Sequence, residues 1–110
     1  MKVNSLQNKG VTIVPLDLDS LDADNSKEFK AAVATIVGST DKLVFDLARL
    51  KFIDSSGLGV ILSCLRTLNE SGGDLKLCNI SGPVRAMFEL VRMHRVVEIH
   101  TSREEAVGSF

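Results

Sequence analysis

Short apolar runs alternate along the chain with longer segments in which apolar residues recur at helical spacing. This alternation favours an α/β fold, because strands and helices then follow one another in the chain. The predicted strands are Val11–Leu16, Lys42–Leu47, Asp74–Ile80 and an edge strand within Val96–His100. The predicted helices are Lys27–Val37, a segment that follows Ile53 and stops at Gly72–Gly73, a segment within Ser81–Met93, and a short one after Thr101.

Polar residues indicate where two of these helices begin. Asn25 with Glu28 three residues later is similar to a capping box before the first helix, and Ser102 with Glu105 repeats the pattern before the last. Gly38 is expected to end the first helix. One face of the second helix is predicted to be apolar, and it carries Leu58, Ile61, Leu62, Leu65 and Leu68.

Composition limits the domain count and the partners. The chain has 110 residues, 45% of them hydrophobic and 25% charged, which suits one domain spanning residues 1–110. Its 13 basic and 14 acidic residues give a net charge of −1, so we expect no direct contact with nucleic acid. The longest uncharged stretches, Ala31–Thr40 and Ser55–Leu65, are much shorter than the roughly 20 residues of a membrane span, so no membrane insertion is expected. No apolar block follows the first lysine, so we expect a cytoplasmic protein without a secretory signal.

The sequence contains little of what an enzyme needs. Cys64 and Cys78 lie in apolar segments without CxxC spacing, which indicates small buried side chains rather than a disulfide or zinc ligands. No G-x-S-x-G elbow or phosphate-binding glycine loop occurs, and His94 and His100 have no recognisable catalytic or metal-binding partner. We therefore expect no catalytic residues, no metal and no cofactor.

The segment Phe52–Leu62, with the sequence FIDSSGLGVIL, places a carboxylate and two hydroxyls between a strand and a helix. One interpretation is structural, since Asp54, Ser55 or Ser56 can cap the helix with a contribution of about 1 kcal/mol. The other is regulatory. A phosphate on an exposed serine there would meet free N–H groups and the positive end of the helix dipole.

The stretch from Lys42 to Val107 resembles the STAS domains of bacterial anti-sigma factor antagonists, and the resemblance extends upstream through the segment LDADNSKEF. Its most specific element is D-S-[ST]-G-L-G, held here by Asp54, Ser55, Ser56, Gly57, Leu58 and Gly59. The resemblance implies a mixed sheet of four to five strands with about four helices that cover mainly one face. It also implies that Ser56, the second hydroxyl of the motif, is phosphorylated by an anti-sigma factor kinase of the histidine-kinase-like ATPase superfamily.

By the same resemblance, the unphosphorylated protein binds that kinase and releases a sigma factor. Phosphorylation of Ser56 abolishes binding until a serine phosphatase removes the phosphate. The phosphate would be a dianion beside Asp54 and the acidic loop of Asp17, Asp19, Asp22 and Asp24. Its charge repulsion and desolvation cost would weaken any interface formed there. The expected partner-binding residues are Asp22, Asn25, Asp54, Ser55, Ser56, Gly57 and Leu58. For Asp22 and Asn25, loop solvation and helix capping remain an equal alternative.

Many family members have a glycine where Asp19 and Ser20 stand here, which leaves the shape of this loop and the identity of its partner open.

Two other functions remain open. A STAS accessory or scaffold subunit of a transporter or stress-sensing complex would use the same fold without a reversible phosphoserine. A nucleotide-binding module is a third possibility, although no glycine-rich phosphate loop supports it.

Overall fold

The computed structural model describes all residues from 1 to 110 and contains two sheets and four helices. The strands are β1 (Leu6–Asn8), β2 (Val11–Pro15), β3 (Ser20–Leu21), β4 (Lys42–Asp46), β5 (Phe52–Ile53), β6 (Asp74–Cys78) and β7 (Glu98–His100). The helices are α1 (Ser26–Ser39), α2 (Ser55–Glu70), α3 (Gly82–Leu90) and α4 (Arg103–Gly108), with a 3₁₀ turn at Met93–Arg95.

The main sheet is mixed and has the strand order β1-β2-β4-β6-β7. Only β1 is antiparallel to its neighbour, while β2, β4, β6 and β7 run parallel. The central strand β4 is apolar on both faces, and Leu43, Val44 and Phe45 are fully buried. The α/β fold predicted from the sequence pattern and the mixed sheet implied by the family resemblance are confirmed.

Three helices, α1, α2 and α3, form the larger core with one face of the main sheet. Phe29 and Val33 of α1 and Ile61 and Leu65 of α2 are buried there, and the rings of Phe29 and Phe45 meet edge to face with centroids 5.9 Å apart. On the other face only α4 covers the sheet, where Ala106 and Val107 join a small cluster with Val11, Ile13, Val44 and Cys78. Helices thus cover mainly one face, as expected.

The second sheet is small and consists of β3 and β5, which pair in parallel through Ser20–Phe52 and Leu21–Ile53. These strands follow β2 and β4 in the chain, beyond the carboxyl ends of those strands. Helix α2 begins directly after β5. The small sheet therefore fixes the start of α2 at the carboxyl edge of the main sheet.

Several local predictions need correction. Helix α1 continues through Gly38 to Ser39, because Gly38 is exposed in its last turn and needs no left-handed backbone there. Asn25 is the N-cap residue of α1, but its side chain makes no capping bond, so the predicted capping box with Glu28 is wrong. Strands β1, β3 and β5 were not predicted, since two or three residues are too few to show a period.

Candidate functional site at the start of helix α2

Asp54 joins the start of α2 to the loop that precedes α1. Its Oδ1 accepts a hydrogen bond from the backbone N–H of Gly57 at 3.0 Å, which caps the helix. Its Oδ2 accepts from the backbone N–H of Ala23 at 3.1 Å, and its own N–H donates to the Leu21 carbonyl at 3.3 Å. A single carboxylate thus performs the capping and also ties two segments that lie 31 residues apart in sequence.

The loop between β3 and α1 is held by its own polar side chains. The Asn25 amide accepts from the N–H of Asp22 at 2.9 Å and donates to the Ser20 carbonyl at 2.8 Å. Asp22 accepts from the Ser20 hydroxyl and from the N–H of Asp24, both at 3.0 Å. Asp22 and Asn25, the two predicted partner-binding residues of this loop, are half-buried, and their side chains hold the loop's conformation. The loop lies against the start of α2.

Gly57 permits the close approach of these segments. A Cβ atom at Gly57 would lie 2.3 Å from the Leu21 carbonyl oxygen and 2.7 Å from the Ile53 side chain. At Gly59 a Cβ atom would meet nothing within 4 Å. Of the two glycines of the motif, only Gly57 is required by packing.

The two serine side chains are not used by the fold. Ser55 is exposed and Ser56 is half-buried, and neither hydroxyl forms a hydrogen bond within the protein, since Asp54 provides the cap. The backbone N–H groups of Ser55 and Ser56 are also free at the amino end of the helix. Two hydroxyls and two amide donors are therefore available at one helix terminus.

The remaining residues of the predicted site have different surroundings. Gly57 and Leu58 are buried, so they support the start of α2 from inside the protein and are not exposed to a partner. Arg49 forms ion pairs with Asp17 and, at 3.2 Å, with Asp19, which offsets part of the acidic charge of the loop. The backbone carbonyl of Asp19 accepts from the N–H groups of Lys51 and Phe52 at 2.8 and 3.3 Å.

Phe52 is a feature of this surface that the sequence did not reveal. It lies in β5, directly before the motif, and is 55% exposed. Nothing in the sequence distinguishes it from the buried apolar residues around it, because a two-residue strand shows no alternation. Aromatic side chains are enriched at protein–protein interfaces, so the exposed Phe52 marks this end of the sheet as a candidate binding surface.

The two cysteines and two histidines lie outside the motif, and their surroundings differ. Both cysteines are free and buried, and burial raises the pKa of Cys64 to about 11 and that of Cys78 to about 12. His94 is exposed, and His100 lies between Glu98 and Glu105 with nitrogen–oxygen distances of 3.2 and 3.1 Å. The interpretation of the cysteines as buried apolar side chains is confirmed.

A cavity of about 270 Å³ lies near the carboxyl ends of β2 and β4, and its wall includes Leu16, Phe29, Arg49 and Arg103. Both arginines are paired with aspartates, Arg103 with Asp46 at 2.5 Å. A nucleotide phosphate at either guanidinium would share it with a carboxylate.

None of the helices has both the length and the apolar character needed to cross a bilayer.

Comparison with known proteins assigns the chain to a family. The STAS domain family matches residues 2–106. The anti-sigma F factor antagonist of Paenibacillus polymyxa is 31% identical over 67 residues, which are 61% of this chain and 57% of that protein. BtrV of Bordetella bronchiseptica is 33% identical over 87 residues, which are 78% of this chain and 75% of that protein.

Solved structures agree on the fold. A crystal structure from Thermotoga maritima has a TM-score of 0.87 at 25% identity, over 97% of this chain and 92% of that one. The anti-sigma factor antagonist SpoIIAA of Bacillus has TM-scores of 0.78 in its unphosphorylated form and 0.71 in its phosphorylated form, both at 24% identity, over 96–97% of this chain and 92–97% of that one. The murine anion transporter Slc26a9 contains the same fold in 18% of its chain, which matches 93% of this one with a TM-score of 0.79 at 22% identity. The family match, the fold and the D-S-S-G-L-G motif agree, and the chain belongs to the STAS domain family.

Proposed function

We propose that this protein is an anti-sigma factor antagonist that is switched by phosphorylation of Ser56. In this proposal the unphosphorylated form binds an anti-sigma factor serine kinase of the histidine-kinase-like ATPase superfamily and so releases a sigma factor. Phosphorylation of Ser56 abolishes binding, and a serine phosphatase restores it. The protein acts as a regulatory binding partner and not as an enzyme.

The observation that carries the proposal is the pair of free hydroxyls at the start of α2. Asp54 caps the helix, so neither serine is needed for that purpose. The free N–H groups of Ser55 and Ser56 and the helix dipole favour a phosphate there without any rearrangement of the helix. The names of relatives support the role, since the Paenibacillus polymyxa protein is an anti-sigma F factor antagonist and SpoIIAA has been solved with and without phosphate.

The surface around the hydroxyls explains how a phosphate would act. Asp54 and Asp22 already place carboxylates beside the helix start, and Phe52 offers an exposed ring next to it. A phosphate adds about 1.5 to 2 negative charges, which a partner would have to desolvate beside these carboxylates. Each 1.4 kcal/mol of such a penalty lowers affinity about tenfold, so a few kcal/mol are sufficient for a switch.

Assignment of the phosphate to Ser56 rather than Ser55 follows the motif. Accessibility alone would favour Ser55, which is the more exposed of the two. We expect phosphopeptide mapping, after incubation with the cognate kinase and ATP, to locate the phosphate on Ser56 alone. Ser55→Ala should remain a substrate and Ser56→Ala should not. Phosphate on Ser55 would refute the assignment, and no phosphate on either residue would refute the switch.

A further inference from the structure

Residues 89–97, which join α3 to β7, form a corner with an unusual concentration of exposed aliphatic side chains. Leu90 is 74% exposed, Val91 49% and Val96 59%. The other large exposed apolar residues, Met1, Leu6, Phe52 and Phe110, are spread over the rest of the chain. Single exposed apolar residues are ordinary, but three within seven positions make this corner a candidate contact surface.

This α3–β7 corner also carries unpaired positive charge. Arg92 and Arg95 are exposed and form no ion pair or side-chain hydrogen bond within the chain. Glu89 is the corner's one carboxylate, and the adjoining Glu98 is engaged by Lys76 and His100. With two arginines and one glutamate, residues 89–97 carry a net charge of +1, although the chain as a whole has a net charge of −1.

Arg92 adopts a backbone conformation that a long side chain disfavours. Its φ of 60° and ψ of 24° lie in the left-handed region, directly after the last residues of α3. Helices most often place glycine there, because a Cβ atom is strained in this conformation. Strain of this kind is common where the side chain serves a function other than stability.

The corner is far from the proposed phosphorylation site. Helix α2 starts at the carboxyl edge of the parallel strands, whereas the corner leads directly into the first residue of β7 and so lies at the amino edge. The sheet separates the two surfaces by the length of a strand. A phosphate on α2 would not touch a molecule bound at the corner.

We propose that the α3–β7 corner is a second docking surface, which binds an acidic amphipathic segment of a protein partner whether or not α2 is phosphorylated. Guanidinium groups pair well with carboxylates, and the aliphatic side chains would be buried against apolar residues of the same segment. A symmetric contact with a second copy would bring the unpaired arginines of both copies into one interface, which is unfavourable. The corner also lacks the aromatic residues that anchor proteins at a membrane surface.

The probe is a synthetic amphipathic peptide with leucine on one helical face and glutamate on the other, titrated into the full chain. A matched peptide with lysine in place of glutamate is the control. The glutamate peptide should bind at least about tenfold more tightly than the lysine peptide. Arg92→Gly should weaken its binding about tenfold and yet raise the melting temperature by a few degrees, because it relieves the strained backbone. Leu90→Ser should also weaken binding, and Ser56→Asp should leave it unchanged.

If Arg92 had a purely structural role, Arg92→Gly would not weaken peptide binding while raising the melting temperature. Equal binding of both peptides, or of wild type and Arg92→Gly, would overturn the proposal. It would also be overturned if the chain bound phosphatidylglycerol vesicles and not the glutamate peptide, or if Arg92→Gly abolished a concentration-dependent dimer and left peptide binding intact.

Discussion

Gly57 and Gly59 belong to the same motif, but replacing each with alanine should change the stability of the protein in opposite directions. Gly57→Ala should lower the free energy of unfolding by about 1–3 kcal/mol, because its Cβ atom would meet a backbone carbonyl that cannot move aside cheaply. Gly59→Ala should raise it by about 0.5–1 kcal/mol, because alanine is favoured over glycine within an exposed helix turn. Urea denaturation of both variants measures the difference. Equal effects of the two substitutions would contradict this packing at the start of α2.

Individual residues of the site could be predicted only in part. The motif identifies Asp54, Ser55 and Ser56, and the capping interpretation left open which of the three provides the cap. Only the structure shows that Asp54 does so with one oxygen while its other oxygen binds Ala23. Sequence patterns cannot predict such a contact, because it joins residues 31 positions apart through a backbone N–H that every residue type except proline carries.

Helix α4 is short, and an ion pair between the half-exposed Arg103 and the buried Asp46 attaches it to the sheet. Asp46, 5% exposed at the end of β4, accepts from Arg103 at 2.5 Å, from the Asn79 amide at 3.1 Å and from the N–H of Ala48 at 3.0 Å. Burial raises the pKa of Asp46, but the hydrogen bonds from Arg103, Asn79 and Ala48 outweigh burial and hold the pKa below its ordinary value of 3.8. The ionised Asp46 carboxylate therefore contributes its full stabilisation of the fold above pH 3.8. This contribution is lost as the pH falls through the lower pKa that Asp46 has in the folded protein.

Arg103→Ala should lower the free energy of unfolding at neutral pH by about 1–3 kcal/mol, because a buried carboxylate loses its charged partner. It should also make the acid-induced loss of stability begin at a higher pH, since burial still raises the pKa of Asp46 and the guanidinium no longer lowers it. Urea denaturation between pH 2 and 7 measures both effects. The control is Arg49→Ala, which breaks exposed ion pairs and should leave the pH profile unchanged. Identical profiles for wild type and Arg103→Ala would contradict the role of this pair.

Elements with a clear period were predicted to within a few residues. Strands β2, β4 and β6 and helices α2 and α3 all fall in the segments that the apolar pattern marks. The failures have physical causes. Strand β1 is exposed at every residue, so hydrophobicity gives no signal there, and the sheet of β3 and β5 depends on a pairing distant in sequence. The Asn25 amide binds its own loop and not the helix that follows.

Over the whole molecule, the fold should not depend on the switch. No hydrogen bond of the structure uses the Ser56 hydroxyl, and a negative charge at a helix amino terminus is favoured by about 0.3–1 kcal/mol at exposed sites. Ser56→Asp should therefore melt within a few degrees of wild type in a thermal scan followed by circular dichroism. Ser55→Asp, which adds the same charge one residue earlier, is the matched control. A large fall in melting temperature for Ser56→Asp alone would mean that Ser56 is structural.

The molecule presents its proposed switch at one edge of the sheet, where Ile53 and Leu58 of the larger core lie beneath the start of α2. In the proposed function, phosphorylation changes the charge of this surface and leaves its shape the same. Ser56→Ala removes the proposed phosphate acceptor and no hydrogen bond that the fold uses, because Asp54 still caps α2. Ser56→Asp adds a permanent charge, although one carboxylate carries less charge and fewer acceptor oxygens than a phosphate.

Calorimetric titration of wild type, Ser56→Ala and Ser56→Asp into the purified cognate kinase with ADP bound tests the proposed function most directly. Wild type and Ser56→Ala should bind with equal affinity, and Ser56→Asp should bind at least about tenfold more weakly, a difference of about 1.4 kcal/mol. Equal affinities for all three proteins would contradict the phosphorylation switch and favour the accessory-subunit alternative.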